Sequence, residues 1–163
     1  MLSDPRPHPE LIRPSAFLAP GVVVVGDVTI GPKASLWFGV IVRGDTEKVV
    51  IGAQTNVQDG CLLHADPGQP CLLGERVSLG HGAIVHAAMV EDGARIGAGS
   101  LVAAGAVVTP GTVIPPGSVV MGTPGRVARN VTEADRERIR LTAEHYRAQA
   151  RAYREACPRP GGA

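Results

Sequence analysis

Every sixth residue from Val90 onward is a branched apolar one: Val90, Ile96, Val102, Val108, Ile114 and Val120. Three residues after the first five of these stand Gly93, Gly99, Gly105, Gly111 and Gly117. An amphipathic helix repeats at 3.6 and a half-buried strand at 2, so neither explains this spacing. A branched residue and a glycine in each hexad specify short strands joined by tight corners, with glycine supplying the positive φ that a corner requires. The register extends upstream through Val24, Ile30, Leu36 and Val42, then Ile51, Val57 and Leu63, then Leu73, Leu79 and Val85. The steps between these groups are irregular: nine residues to Ile51, ten to Leu73 and five from Val85 to Val90.

Three hexads to a coil give a triangular prism. Face A then holds Val24, Val42, Leu63, Val85, Val102 and Val120. Face B holds Ile30, Ile51, Leu73, Val90 and Val108, and face C holds Leu36, Val57, Leu79, Ile96 and Ile114. All three irregular steps fall at the corner between A and B. The corner after face C carries Gly39, Gly60, Gly82, Gly99 and Gly117. Aromatics make up 3% of the chain, which suits a narrow core filled by small aliphatic side chains. The fold class is an all-β solenoid, a parallel β-helix of hexapeptide repeats whose inward residues stack coil on coil.

The prism is expected over residues 15–125, after an N-terminal segment 1–14. Pro124 and Gly125 break the repeat, and residues 126–157 form a linker and one C-terminal α-helix. Thr132 is the expected N-cap, with Asp135 in the first turn and Val131 as a staple. Ile139, Ala143, Tyr146, Ala150 and Tyr153 form a narrow helical seam over about residues 132–155. Residues 158–163 read as a disordered tail. The net charge is +1, and the arginines after Arg126 are interleaved with acids, so no nucleic-acid surface is expected. Cys61, Cys71 and Cys157 form no CxxC pair and read as inert thiols. Met1 to Glu10 has no apolar signal core, and no apolar run approaches the roughly 20 residues of a membrane span. The expectation is a soluble cytoplasmic protein.

The residues following the face-A rungs point outward, because side chains alternate along a strand. They are Val25, Arg43, His64, His86, Ala103 and Met121. His64 and His86 thus become neighbours on adjacent coils, about 4.8 Å apart at the backbone, close enough for two imidazoles to share an ion. His81 lies on face C beside Gly82 and does not easily reach that pair in its own chain. In a threefold oligomer, face C of one subunit meets face A of the next and delivers His81 to His64 and His86. Three neutral imidazoles and an open position make a catalytic zinc arrangement, and such a site also accepts cobalt or iron(II). Asp59 lies under His81 and Arg43 under His64, so the same interface predicts an Asp59–Arg43 pair. Gln58 is placed to hydrogen-bond a metal-held water.

The stretch from Ser35, SLWFGVIVRGDTEKVVIGAQTNVQDGCLLHAD, and the later IVHAAMVEDGARIGAGSLVAAGAVV resemble the gamma-class carbonic anhydrase family. The segment LGHGAIVH, Leu79 to His86, carries that family's paired histidines. The resemblance covers about Ser15 to Arg154, with RGD, NVQDG, H and GHxxxxH in order. It implies a left-handed β-helix, against the usual right-handed crossover, and a homotrimer with active sites between subunits. It implies His64, His81 and His86 as zinc ligands, with Arg43, Asp45 and Asp59 at interface and supporting positions. It also implies Asn56 and Gln58 in the pocket, with Tyr146 approaching from the helix. The implied reaction is reversible hydration of CO2 to bicarbonate by metal-bound hydroxide. The family's acidic proton-shuttle residues have no counterpart here: the loop after His64 reads ADPGQP, with only Asp66, and Thr46 follows Asp45. Slow turnover is the expectation.

Two other readings stand beside this one. The same prism carries hexapeptide-repeat acyl- and acetyltransferases, which need one histidine as a base rather than three around a metal. A non-catalytic metal-binding trimer fits the missing acids. Fold alone does not choose among these. Arg43 and Asp59 could serve only to hold the trimer, Asp45 to cap a turn, and Tyr146 to pack in the seam. Trp37 reads as interface packing, and His8 and His145 as solvated surface.

Overall fold

The computed structural model describes residues 5–86, 95–96, 99–109 and 111–156. The hexads form short parallel strands stacked in register, closed at one end by an antiparallel strand and followed by one helix, Glu133–Ala156. The solenoid and its C-terminal helix are the expected architecture.

Face C is the ladder Leu18, Leu36, Val57, Leu79, Val102 and Val120. Face A runs Val24, Val42, Leu63, Val85 and Val108. Face B runs Ile30, Ile51, Leu73, Ile96 and Ile114, with Ile12 bridged below Ile30. From Ile30 to Val120, every rung whose burial is defined is at most 3% exposed. The stacked aliphatic column is therefore a dry core, stabilised by apolar area removed from water.

The face assignments hold through Val85 and fail beyond it. Val90 lies outside the described residues, and the next face-B rung is Ile96. Val102 and Val120 therefore belong to face C, Val108 to face A, and Ile96 and Ile114 to face B. The step from Val85 is eleven residues to Ile96, so the A–B corner lengthens through nine, ten and eleven residues on successive coils. The corner after face C carries Gly39, Gly60, Gly82 and Gly105, and the amides of the last three hydrogen-bond from coil to coil. Gly99 and Gly117 belong instead to the B–C corner, above the positive-φ residues Lys33, Gln54 and Arg76.

Residues after Pro124 are not a plain linker. Arg126–Asn130 pairs antiparallel with Ser118–Met121 and so covers the last parallel strand's open edge. The helix starts where expected: Asp135 N donates to Thr132 Oγ1 at 3.2 Å, and Thr132 N donates back to Asp135 Oδ2 at 2.8 Å. Arg129 grips the same carboxylate. The helix then lies along face C. Trp37, 2% exposed, packs beneath it, 4.6 Å from the Tyr146 ring and 5.1 Å from Phe17 between centroids. The partner of Trp37 is thus the chain's own helix, not the subunit interface expected for it. Cys61 and Cys71 are buried free thiols, and Cys157 lies outside the described residues. Among the described residues no helix is long and apolar enough to cross a membrane.

Candidate metal centre

Three strands carry the centre on face A: Ile41–Ile51, Leu62–His64 and Ile84–His86. Inward Val42, Leu63 and Val85 fix their register, so Arg43, His64 and His86 rise outward in a column. His64 Nδ1 stands 3.0 Å from His86 Nε2. Two nitrogens on one tetrahedral ion with bonds near 2.0–2.1 Å would lie about 3.3 Å apart, so the pair already has nearly the spacing that a shared ion imposes.

His64 is the more enclosed ring, with a side chain 14% exposed. Its Nε2 is buried and makes no hydrogen bond, although Asp45 Oδ1 lies 3.4 Å away. Burial lowers the His64 pKa, and the positive charge of Arg43 and the proximity of His86 reinforce this against Asp45 and Asp66. His64 is therefore held neutral, the form that coordinates a metal. Asp45 takes hydrogen bonds from Arg43 Nη2 at 2.9 Å and Nε at 3.3 Å. Burial pushes its carboxyl upward, but the Arg43 bonds and charge outweigh this and hold it below the ordinary value.

Asp66 also belongs to this cluster. One nitrogen from each of His64 and His86 and one Asp66 carboxylate oxygen all lie within 4.8 Å of one another. In the sequence Asp66 stands out only as a lone acid in the loop after His64. The usable signal was the alternation His64-x-Asp66 followed by the turn-forming Pro67-Gly68. Two imidazoles that face each other beside a carboxylate are a donor set suited to a divalent cation.

His81 is outside this single-chain set, at the corner after face C. Its side chain is 57% exposed, and its Nδ1 lies 2.9 Å from Asp59 Oδ2. Gln58, His81, His145 and Tyr146 line one shallow concavity between the prism and the helix. The chain therefore brings Gln58 and Tyr146 to His81, which stands outside the His64–Asp66–His86 cluster. Burial raises the Tyr146 pKa, with Asp59 and Cys61 adding to the effect. Asn56, 3% exposed, is held by a bond from its Nδ2 to Ser35 Oγ and lines a separate cavity of about 260 Å³ beneath Ile139 and Ala143. Within the chain, Arg43 pairs with Asp45 and Asp59 with His81.

No family model matches the sequence. Individual relatives do. A Methanocaldococcus jannaschii protein named "Probable carbonic anhydrase" is 45% identical over 148 residues, covering 83% of this chain and 93% of its own. A Geobacillus kaustophilus carbonic anhydrase is 44% identical over 147 residues, covering 82% and 81%. The Escherichia coli carnitine operon protein CaiE is 32% identical over 150 residues, covering 83% and 76%. Among solved structures, a Bacillus cereus protein provisionally described as an acetyltransferase superposes with a TM-score of 0.75 at 35% identity, covering 89% of this chain and 91% of its own. The archaeal and Geobacillus relatives match over most of both chains, and mitochondrial gamma carbonic anhydrase 2 of Arabidopsis thaliana matches 53% of this one at 39% identity. The chain belongs to the gamma-class carbonic anhydrase family of hexapeptide-repeat proteins.

Proposed function

We propose that this chain is a zinc-dependent carbonic anhydrase that interconverts CO2 and bicarbonate as a homotrimer, with each site built from His64 and His86 of one subunit and His81 of the next. The observation that carries this reading is the approach of His64 Nδ1 to His86 Nε2 at 3.0 Å, with Asp66 beside them. The carbonic anhydrase relatives support the reaction.

A zinc ion held there supplies a Lewis acid that brings the pKa of water to about 7. The protein's own part is positional. Burial and Arg43 keep His64 unprotonated. Asp59 at Nδ1 of His81 fixes the tautomer and leaves Nε2 with its lone pair toward the neighbour. Gln58, in the concavity beside His81, orients the reacting water or CO2 by its side-chain amide. Tyr146 supports that wall through its packing on Trp37, while Asn56, bonded to Ser35, fixes the strand that leads into Gln58. Turnover is slow for the class, because Thr46 and the acid-poor segment from Ala65 to Pro70 offer few carboxylates to carry the proton away.

The test is chelation, zinc restoration, metal counting and a CO2 hydration assay on one preparation. Restored hydration with one zinc per chain is expected, and a fully loaded protein with no hydration above background overturns the reaction. The acyltransferase reading has one observation in its favour. His81 paired with Asp59 is also what a general base needs. Coenzyme A raising the melting temperature of the chelated protein would select it.

A further inference from the structure

Among the described residues, the three metal-ligating groups that converge within one chain are His64, Asp66 and His86, not three histidines. Asp66 reaches them through a closed turn. Gln69 N donates to Asp66 O at 2.8 Å and Asp66 N donates to Gln69 O at 3.2 Å. Pro67 and Gly68 occupy the central positions, with Gly68 at φ +72°, the residue types that a type II turn selects. Ala65 on one side is fully buried and Gln69 on the other is 6% exposed, so both flanks are anchored. The carboxylate is thereby held 3.9 Å from His86 Nε2. Donors on a four-coordinate ion lie about 3.3 Å apart, so a small side-chain rotation brings Asp66 into range.

Charge favours the same arrangement. Two neutral imidazoles leave a divalent cation with its full charge in a partly buried site, and a carboxylate halves it. Two histidines and one carboxylate are a complete ligand set for Fe(II), Co(II) or Zn(II) with positions left open.

We propose that Asp66 is a third metal ligand supplied by the same chain as His64 and His86, so that a single protomer captures a divalent cation without His81 of a neighbour. The proposal rests on the reading of His64 and His86 as ligands. It concerns metal capture and not CO2 chemistry.

The experiment uses cobalt(II) as the probe, by calorimetric titration and visible absorption, on the chelated wild type, H81A, D66N and the D66N/H81A double variant. H81A is expected to take up one cobalt per chain, more weakly than wild type. Adding D66N to H81A is expected to weaken uptake a further tenfold or more, about the size of a lost supporting ligand interaction, and to change the cobalt band. An H81A protein that binds no cobalt overturns the proposal. So does a double variant whose affinity and spectrum match those of H81A. If the double variant does not fold, as read from its melting curve without metal, D66E/H81A replaces it, and an unchanged cobalt band there overturns the proposal. Cobalt uptake by H81A with no hydration by zinc-loaded wild type would sink the proposed reaction alone. Hydration by wild type with no uptake by H81A would sink this inference alone.

Discussion

Asp59 Oδ2 lies 2.9 Å from His81 Nδ1, one coil beneath it, while Asp59 Oδ1 accepts the Phe38 amide at 3.3 Å. The carboxylate is thus tied to the backbone of the coil below and aims the imidazole from there. A carboxylate behind a ligating histidine typically contributes 10–100-fold in metal affinity. We expect Asp59→Asn to lose about that much zinc affinity in competition with a chelating dye, with the His64–His86 pair intact. Unchanged affinity would reduce Asp59 to packing.

The C-terminal helix depends on a second carboxylate. Asp135 accepts hydrogen bonds from Arg129 first and from Thr132 N and Oγ1 next, which together hold its pKa well below 3.8. A depressed folded-state pKa means stability that is present above pH 3.8 and lost as pH falls through the lower folded value. Asp135→Asn should therefore melt earlier than wild type at neutral pH, and the gap should narrow progressively as pH falls below about 4. Fluorescence of Trp37, which lies under this helix, reports the change. Thr132→Ala removes the reciprocal cap and should cost about 1 kcal/mol.

The register was legible from Val24 to Val85 because each irregular step was long enough to be an insertion at a corner. It failed at Val90, whose spacing to Ile96 is an ordinary hexad step. A hexad is translationally symmetric: Val90 followed by Gly93 looks the same on any face. Only the interstrand hydrogen bonds of Ile96 with Leu73 and Ile114 reveal which face a rung occupies. The candidate metal ligands lie at or below His86, so the slip leaves them untouched and displaces Ala103 and Met121 instead. Asp66 was hidden for a different reason. It sits in the ten-residue corner, where no periodicity operates and a tight turn decides direction. Trp37 lies outward, as its place after Leu36 predicts, but hexad spacing carries no information about the helix that covers it.

Two glycines separate backbone conformation from space. Gly82 has φ +67° and open space where a Cβ would point, whereas a Cβ on Gly52 would sit 2.4 Å from Gly74 O. Gly82→Ala should cost about 1–2 kcal/mol, the left-handed penalty alone. Gly52→Ala must push two coils apart at the backbone and should cost more. Paired denaturant titrations check the order, and equal losses would contradict it.

Burial pushes the Cys61 thiol up to about 11 and the Cys71 thiol to about 12. At pH 8 the thiolate fraction of Cys61 is then about one in a thousand, and access is closed as well. Peptide mapping after brief alkylation of the native protein should find both residues unmodified, and both should label fully in denaturant. Rapid native labelling of Cys61 would show that the coil at the Gly82 corner opens.

Arg43 and Asp59 lie one coil below His64 and His81 on two different faces, and each is partnered within its own chain, by Asp45 and His81. Asp45 engages Nη2 and Nε of Arg43, and a guanidinium has further donors on Nη1. If the trimer seats His81 against His64, those donors meet Asp59 of the adjoining subunit. Removing either member of a hydrogen-bonded charge pair at an interface costs about 2–5 kcal/mol when the other is left unpaired, and less here, where Asp45 and His81 keep the survivor partnered. Arg43→Ala and Asp59→Ala should therefore each shift trimer toward monomer in sedimentation runs across a dilution series. The double variant should be no worse than the more severe single one. His81→Ala, which leaves both charges in place, should remain trimeric at the same concentrations. Additive losses from Arg43 and Asp59 would mean that the two side chains do not touch, and the assembly that brings three histidines together would have to be rebuilt on another face.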